Sequence, residues 1–340
     1  RTILTSTFRS RNNKEKGMGF SPEKNKIYMN NIEIPTAPVL LITFNRPDYT
    51  IQVFDKIRQA KVKKLYISND GPREGNIEDQ KAREEIKKII DSIDWDCDVH
   101  TLFQEKNLGC GWGPATAISW AFEKEDRMII LEDDCVPALA FFDYCNQLLE
   151  RYKDDTRIWL ISGDNFNEEA VTTKHSYFFS RYGHSSGWAT WKRCWKEMDM
   201  YMTKWPLILE QDLFKSAFRT DKEAKFFEKK LNRIYNDPKS TSHIWDFQFS
   251  FTLRSNNAIS IVPSRNLVSN IGYVGTHSKS KGFYNNRTVD ENFSIKSHPD
   301  FILCDVNYDE YHFKHHWNRK TPIFKRIIRK IKRMWNNYFS

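Results

Sequence analysis

The chain has 340 residues, 39% hydrophobic and 14% aromatic, enough to fill one large α/β domain or two small ones. Its net charge of +9 does not make a nucleic-acid-binding face: nine lysines and arginines follow Glu310, and residues 1–310 are formally neutral. No apolar run nears the roughly 18 to 20 residues of a membrane span, no signal-peptide layout is visible, and the six cysteines form no C-x-x-C pair, so the expectation is a reduced protein of the cytoplasm.

Residues 1–36 are polar, without apolar period, and read as a flexible arm. From Pro38 onward, short apolar runs alternate with segments of helical period, which predicts βαβ units and a mainly parallel sheet. Val39-Leu40-Leu41-Ile42-Thr43-Phe44 is the first expected strand, Leu65-Tyr66-Ile67-Ser68 the second, and residues 99–103 the third. Met128-Ile129-Ile130-Leu131 and Ile158-Trp159-Leu160-Ile161 are the fourth and fifth, and residues 259–262 a late one. Helices are expected around Ala82 to Ile93, Ala117 to Phe122 and Leu139 to Leu149. One domain over 37–310 follows, divided near residue 165 into a first half of alternating strands and helices and a second half from 166, with a basic tail over 311–340.

In such a sheet, ligands gather at the carboxyl ends of the strands. The first strand ends in Asn45-Arg46-Pro47-Asp48, the second in Asn69-Asp70-Gly71-Pro72, and the fourth in Glu132-Asp133-Asp134. Three carboxylates at a strand end suit a hard divalent cation, Mn²⁺ or Mg²⁺, which takes one or two of them and completes its shell with water and phosphate oxygens. A solvated turn is the plainer alternative. Asn107-Leu108-Gly109-Cys110-Gly111-Trp112-Gly113 is spaced G-x-G-x-G, not as a dinucleotide loop; its glycines either admit a donor close to the backbone or open a helix.

Gly187-Trp188-Ala189-Thr190-Trp191 could stack a sugar on its indoles or close the core. Trp245-Asp246-Phe247 sets one acid among apolar residues, as a helix cap or as a general base. His277 is either a solvated loop residue or a late metal ligand, whereas His312, His315 and His316 read as surface.

The run from Val39 to Pro47, then Ile-Ser-Asn-Asp-Gly, Asn107-Leu-Gly-Cys and Ile-Ile-Leu-Glu-Asp-Asp-Cys-Val-Pro, resembles bacterial nucleotide-diphospho-sugar transferases of the GT-A fold. It is more distantly similar to the N-acetylglucosaminyltransferase I family, the likeness covering residues 38–277 in order and spacing. The resemblance implies a Rossmann-like sheet flanked by helices and an inverting transferase that moves a sugar from a UDP-sugar, UDP-N-acetylglucosamine as the first choice. It implies a donor site built from Thr43, Arg46, Asp70, Asn107, Gly109, Glu132 and Asp133, with a metal on Asp134 and His277. Gly187 and Trp188 would meet the sugar or acceptor, and Asp246 would be the base. One departure is that Ala117-Ile118-Ser119-Trp120 lacks the histidine used by the eukaryotic family. The alternatives are a sugar nucleotidyltransferase and a non-catalytic carbohydrate-binding protein.

In the tail, Thr321-Pro322 opens a helix whose Ile323, Phe324, Ile327, Ile328, Ile331, Met334, Trp335 and Tyr338 share one face among six cations. Such a helix predicts an in-plane anchor on anionic lipid at the inner face of the membrane, close to a glycan or lipid-linked acceptor.

Overall fold

The computed structural model describes residues 36–237, 239–272 and 286–319. Residues 1–35 of the expected arm, His277 and the helix expected from Thr321 lie outside them. Strand and helix first alternate: β1 (Val39–Thr43), α1 (Pro47–Gln59), β2 (Lys64–Asn69), α2 (Ile77–Asp91), β3 (Asp98–Phe103), α3 (Gly109–Phe122), β4 (Arg127–Glu132). A three-residue β5 (Cys135–Pro137), α4 (Leu139–Arg151), β6 (Ile158–Ser162), β7 (Tyr177–Ser180) and β8 (Trp188–Trp191) come next. Five helices then fill the expected second half: α5 (Lys192–Trp195), α6 (Trp205–Glu210), α7 (Asp221–Tyr235), α8 (Ser240–His243) and α9 (Asp246–Ser255). The described chain closes with β9 (Ile259–Pro263), β10 (Val268–Asn270), α10 (Val306–His312) and a π-helical turn, Phe313–Trp317.

The protein is mixed α/β, built on an eight-stranded sheet flanked by helices, in the order β3-β2-β1-β4-β8-β6-β9-β7. Six strands point one way and two, β8 and β7, run against them. Every residue of β1 is buried, as a central strand covered on both faces requires, which is why it reads as an unbroken apolar run. β3 closes the parallel set and its residues are half-buried or exposed.

The direction of β8 shapes the site. Because Ile130 of β4 and Ser162 of β6 both lie opposite Trp188, the first residue of β8, the loop entering β8 sits at the carboxyl ends of β4 and β6. Residues 184–187 thus share an edge with Glu132 to Asp134. β10 pairs antiparallel with β5, bringing Asn270 opposite Cys135, beside the acidic run. The aromatic core spans both halves: Trp188 packs on Trp245 with ring centroids 5.7 Å apart and on Phe249 at 5.3 Å.

Candidate active site

β4 delivers Glu132 half-buried, and the chain then turns so that Asp133 and Asp134 are buried. Arg46, just past β1, holds both aspartates: Nη2 pairs with Asp133 Oδ1, Nε reaches Asp133 Oδ2 at 3.3 Å, and Nη1 lies 3.0 Å from Asp134 Oδ2. Burial alone would lower the Arg46 pKa, but the two aspartates outweigh it and keep the guanidinium charged. Burial raises the Asp133 carboxyl in spite of Arg46, and burial followed by the charges of Asp134 and Asp133 raises Glu132.

Asp134 is gripped from the opposite side by the β10 segment. Its backbone carbonyl accepts from the Ile271 amide at 2.8 Å, and Asn270 Nδ2 donates to Oδ1 at 3.2 Å. A Cβ on Gly272 would lie 1.9 Å from Asp134 Oδ2, so this carboxylate fits only under a glycine. Asn270 and Gly272 are site residues that the strand-end reading missed, since nothing in the sequence shows that β10 returns to β5.

A hard cation would meet oxygen donors here, but Asp134 Oδ2 is paired with Arg46 Nη1, so a cation would have to displace the guanidinium to be ligated by it. Among the described residues the three acids do not converge as a three-ligand set, so the fit is to the single-carboxylate mode that Mg²⁺ and Mn²⁺ use beside phosphate and water.

Asp70 is placed differently from the expectation of a side chain presented to a nucleotide. Oδ1 accepts from the Gly71 and Leu108 amides at 2.8 and 2.9 Å, and Oδ2 from the Gly109 amide and Asn107 Nδ2, each at 3.0 Å. Four donors fill the lone-pair positions of one carboxylate. Asp70 therefore fastens the 107–109 loop to the end of β2 and supplies an acceptor at the start of α3, although burial still raises its pKa. Thr43 is equally internal: its hydroxyl donates to the Ser68 carbonyl at 2.9 Å and accepts from Asn69 Nδ2 at 3.0 Å.

The second unread feature of this edge is Asp79. Buried at the start of α2, it takes Arg73 Nε and Nη2, both at 2.7 Å, and Asn45 Nδ2 at 2.8 Å. The Arg73 hydrogen bonds hold its pKa down at about 2. This network ties the loop after β1 to the loop after β2.

Asp246 opens α9 and is exposed. It lies near enough to Glu132 and to Lys230 of α7 for its charge to raise the pKa of both, on Glu132 as the smallest of several causes. Burial lowers the pKa of Lys230, whose Nζ lies 3.9 Å from the Phe247 ring centroid. The glycines after Asn107 fall inside α3, and Gly111 has a packing role there: a Cβ on it would come 1.9 Å from the Thr241 carbonyl of α8.

Trp188 corrects an expectation. It is 0% exposed, a core residue among Trp245, Trp195 and Phe249, and offers no face to a sugar. Gly187 is also buried, at φ +71, where a Cβ would press on Val268 at 2.7 Å. The histidines expected at the surface divide: His315 is exposed, His316 half-buried and His312 fully buried. A cavity of about 550 Å³ between α3 and the segment after α5 is lined by Trp112, Trp195 and Tyr201 and shares no residue with the acidic edge.

No protein-family model and no curated protein matches the sequence. Among solved structures the chain is similar to UDP-glucose pyrophosphorylase complexed with UDP-glucose, at 8% identity and a TM-score of 0.30, over 48% of this chain and 79% of that one. Among the described residues no helix is long and apolar enough to cross a membrane.

Proposed function

We propose that the chain is an inverting glycosyltransferase that moves a sugar from a nucleotide-diphosphate donor to a hydroxyl of a glycan or lipid-linked acceptor. The observation that most supports this reading is the acidic run Glu132 to Asp134 at the carboxyl edge of the sheet, its two aspartates held by Arg46, with the exposed Asp246 near enough for its charge to bear on Glu132.

In this reading Asp246 takes the proton of the acceptor hydroxyl, that oxygen bonds to the anomeric carbon, and the bond from that carbon to the diphosphate oxygen breaks. Arg46 holds Asp133 and Asp134 in place, and Glu132 faces the donor. Asp134 would hold a Mn²⁺ or Mg²⁺ ion, and such an ion neutralises charge on a leaving diphosphate. Asp70, Asn107 and Gly109 keep the α3 entry in one geometry beside the nucleotide, and Thr43 acts from within the sheet.

The test is product identity. With Mn²⁺ and a panel of sugar nucleotides, UDP-N-acetylglucosamine first, the expected product is a free nucleoside diphosphate. Release of pyrophosphate would instead make the chain a sugar nucleotidyltransferase, and turnover of no donor would leave a carbohydrate-binding protein. The apolar and basic faces expected in residues 321–338 support binding to an anionic membrane surface, checked by co-sedimentation with anionic liposomes before and after deletion of residues 320–340.

A further inference from the structure

His312 and His316 stand four residues apart, a spacing that puts both on one helical face, and their rings lie 15° from parallel at 4.6 Å. His184, from the loop that enters β8, completes the group with its ring centroid 4.8 Å from His312 and 4.9 Å from His316. The Nε2 atoms of His184 and His312 approach to 2.9 Å, and one ligand nitrogen from each of the three residues lies within 4.8 Å of the others. An ion bound at about 2.1 Å from each nitrogen needs them no more than about 4.2 Å apart and in the plane of each ring, so the near-parallel His312 and His316 rings must turn toward a common point to ligate it.

We propose that His184, His312 and His316 form a site for a borderline divalent transition-metal ion of the Zn²⁺ class, which pins α10 and the π-helical turn to the carboxyl edge of the sheet. Three imidazoles and no carboxylate select such an ion over Mg²⁺ or Ca²⁺. Asn167 sits behind the group, its amide 2.6 Å from His312 Nδ1. The structure places Nδ2 of that amide at Nδ1, so ligation through Nε2 requires the amide to turn over, its oxygen then accepting from Nδ1–H in the supporting contact that ligating histidines use. Two cations bear on the group, Arg254 on His312 and Lys230 on His316, with Asp309 and Glu223 near the first and Asp246 near the second. His312 is buried while His184 and His316 are half-buried, leaving a way in and room for water as a fourth ligand. The group shares no residue with the acidic edge, so this inference stands apart from the transferase reading.

The full chain, stripped with chelator, is titrated with Zn²⁺ by calorimetry and with Co²⁺ by visible absorption. One equivalent is expected to bind, with a raised Tm and no competition from Mg²⁺. His184→Gln and His316→Gln, both at half-buried positions, should each weaken binding by at least about 100-fold, and Asn167→Ala by about 10- to 100-fold. His315→Ala should leave it unchanged. Absence of binding in the native chain, or equal binding in the His184→Gln/His316→Gln double variant with its fold retained by circular dichroism, would overturn the proposal and leave an aromatic stack.

Discussion

The three pairings that join β3, β2, β1 and β4 are all parallel, whereas three of the four pairings from β4 through β8, β6 and β9 to β7 are antiparallel. The difference decides how each half brings chemistry to the carboxyl edge. The parallel half places residues that directly follow a strand, such as Arg46, Asp70 and Asp133. The mixed half reaches the same edge with a residue that precedes a strand, His184 before β8, and the separate two-stranded sheet of β5 and β10 adds Asn270 at the end of β10 and Gly272 just beyond it. Strand ends point to a site in the first half and mislead in the second.

The largest effect that would break this contrast is in the mixed half. Trp188→Ala opens a cavity in the shared core and should cost about 3 to 5 kcal/mol in denaturant unfolding, whereas a sugar platform would lose affinity and keep its stability. In the parallel half, Asp70→Asn puts an amide NH₂ against donors that now meet oxygen. It should cost about 1 to 3 kcal/mol and speed hydrogen exchange at the Leu108 and Gly109 amides. Gly272→Ala sharpens the contrast differently: the new Cβ displaces Asp134 from Arg46 and Asn270, so it should cost about 1 to 3 kcal/mol in unfolding as well as metal-dependent donor binding.

The smallest effect is electrostatic. The folded Asp79 pKa lies near 2, below its ordinary 3.8, so its contribution is full above about pH 4 and is lost as pH falls toward 2. Arg73→Ala should therefore cost on the order of 1 kcal/mol at pH 7, reduced because Arg73 is half exposed, and the gap to the native chain should close between pH 4 and 2. A gap that stays constant over that range would deny the pair its role.

Much of the parallel half is legible in the sequence because buried parallel strands are continuous apolar runs: the expected strand at Val39 to Phe44 is β1 but for its last residue. The four-residue β8 is not legible, since Trp-Ala-Thr-Trp between glycine-rich loop and helix carries no alternation to distinguish a core strand from an exposed aromatic loop. The acidic run and Asp246 could be read as candidates, but the grip of Arg46 on both aspartates, the glycine under Asp134 and the histidine group depend on long-range pairings that local pattern does not encode. Asp70 shows the converse. Its position at a strand end was readable, but its four donors come from a loop 37 to 39 residues on and from its own neighbour.

The central claim is that Asp246 removes the acceptor proton across from the acidic end of β4. The direct measurement is donor affinity and turnover for Asp246→Asn, with the donor that the native chain uses. The account predicts an unchanged donor Kd and a turnover lower by about 10² to 10⁴. Turnover near the native rate with intact binding would contradict it.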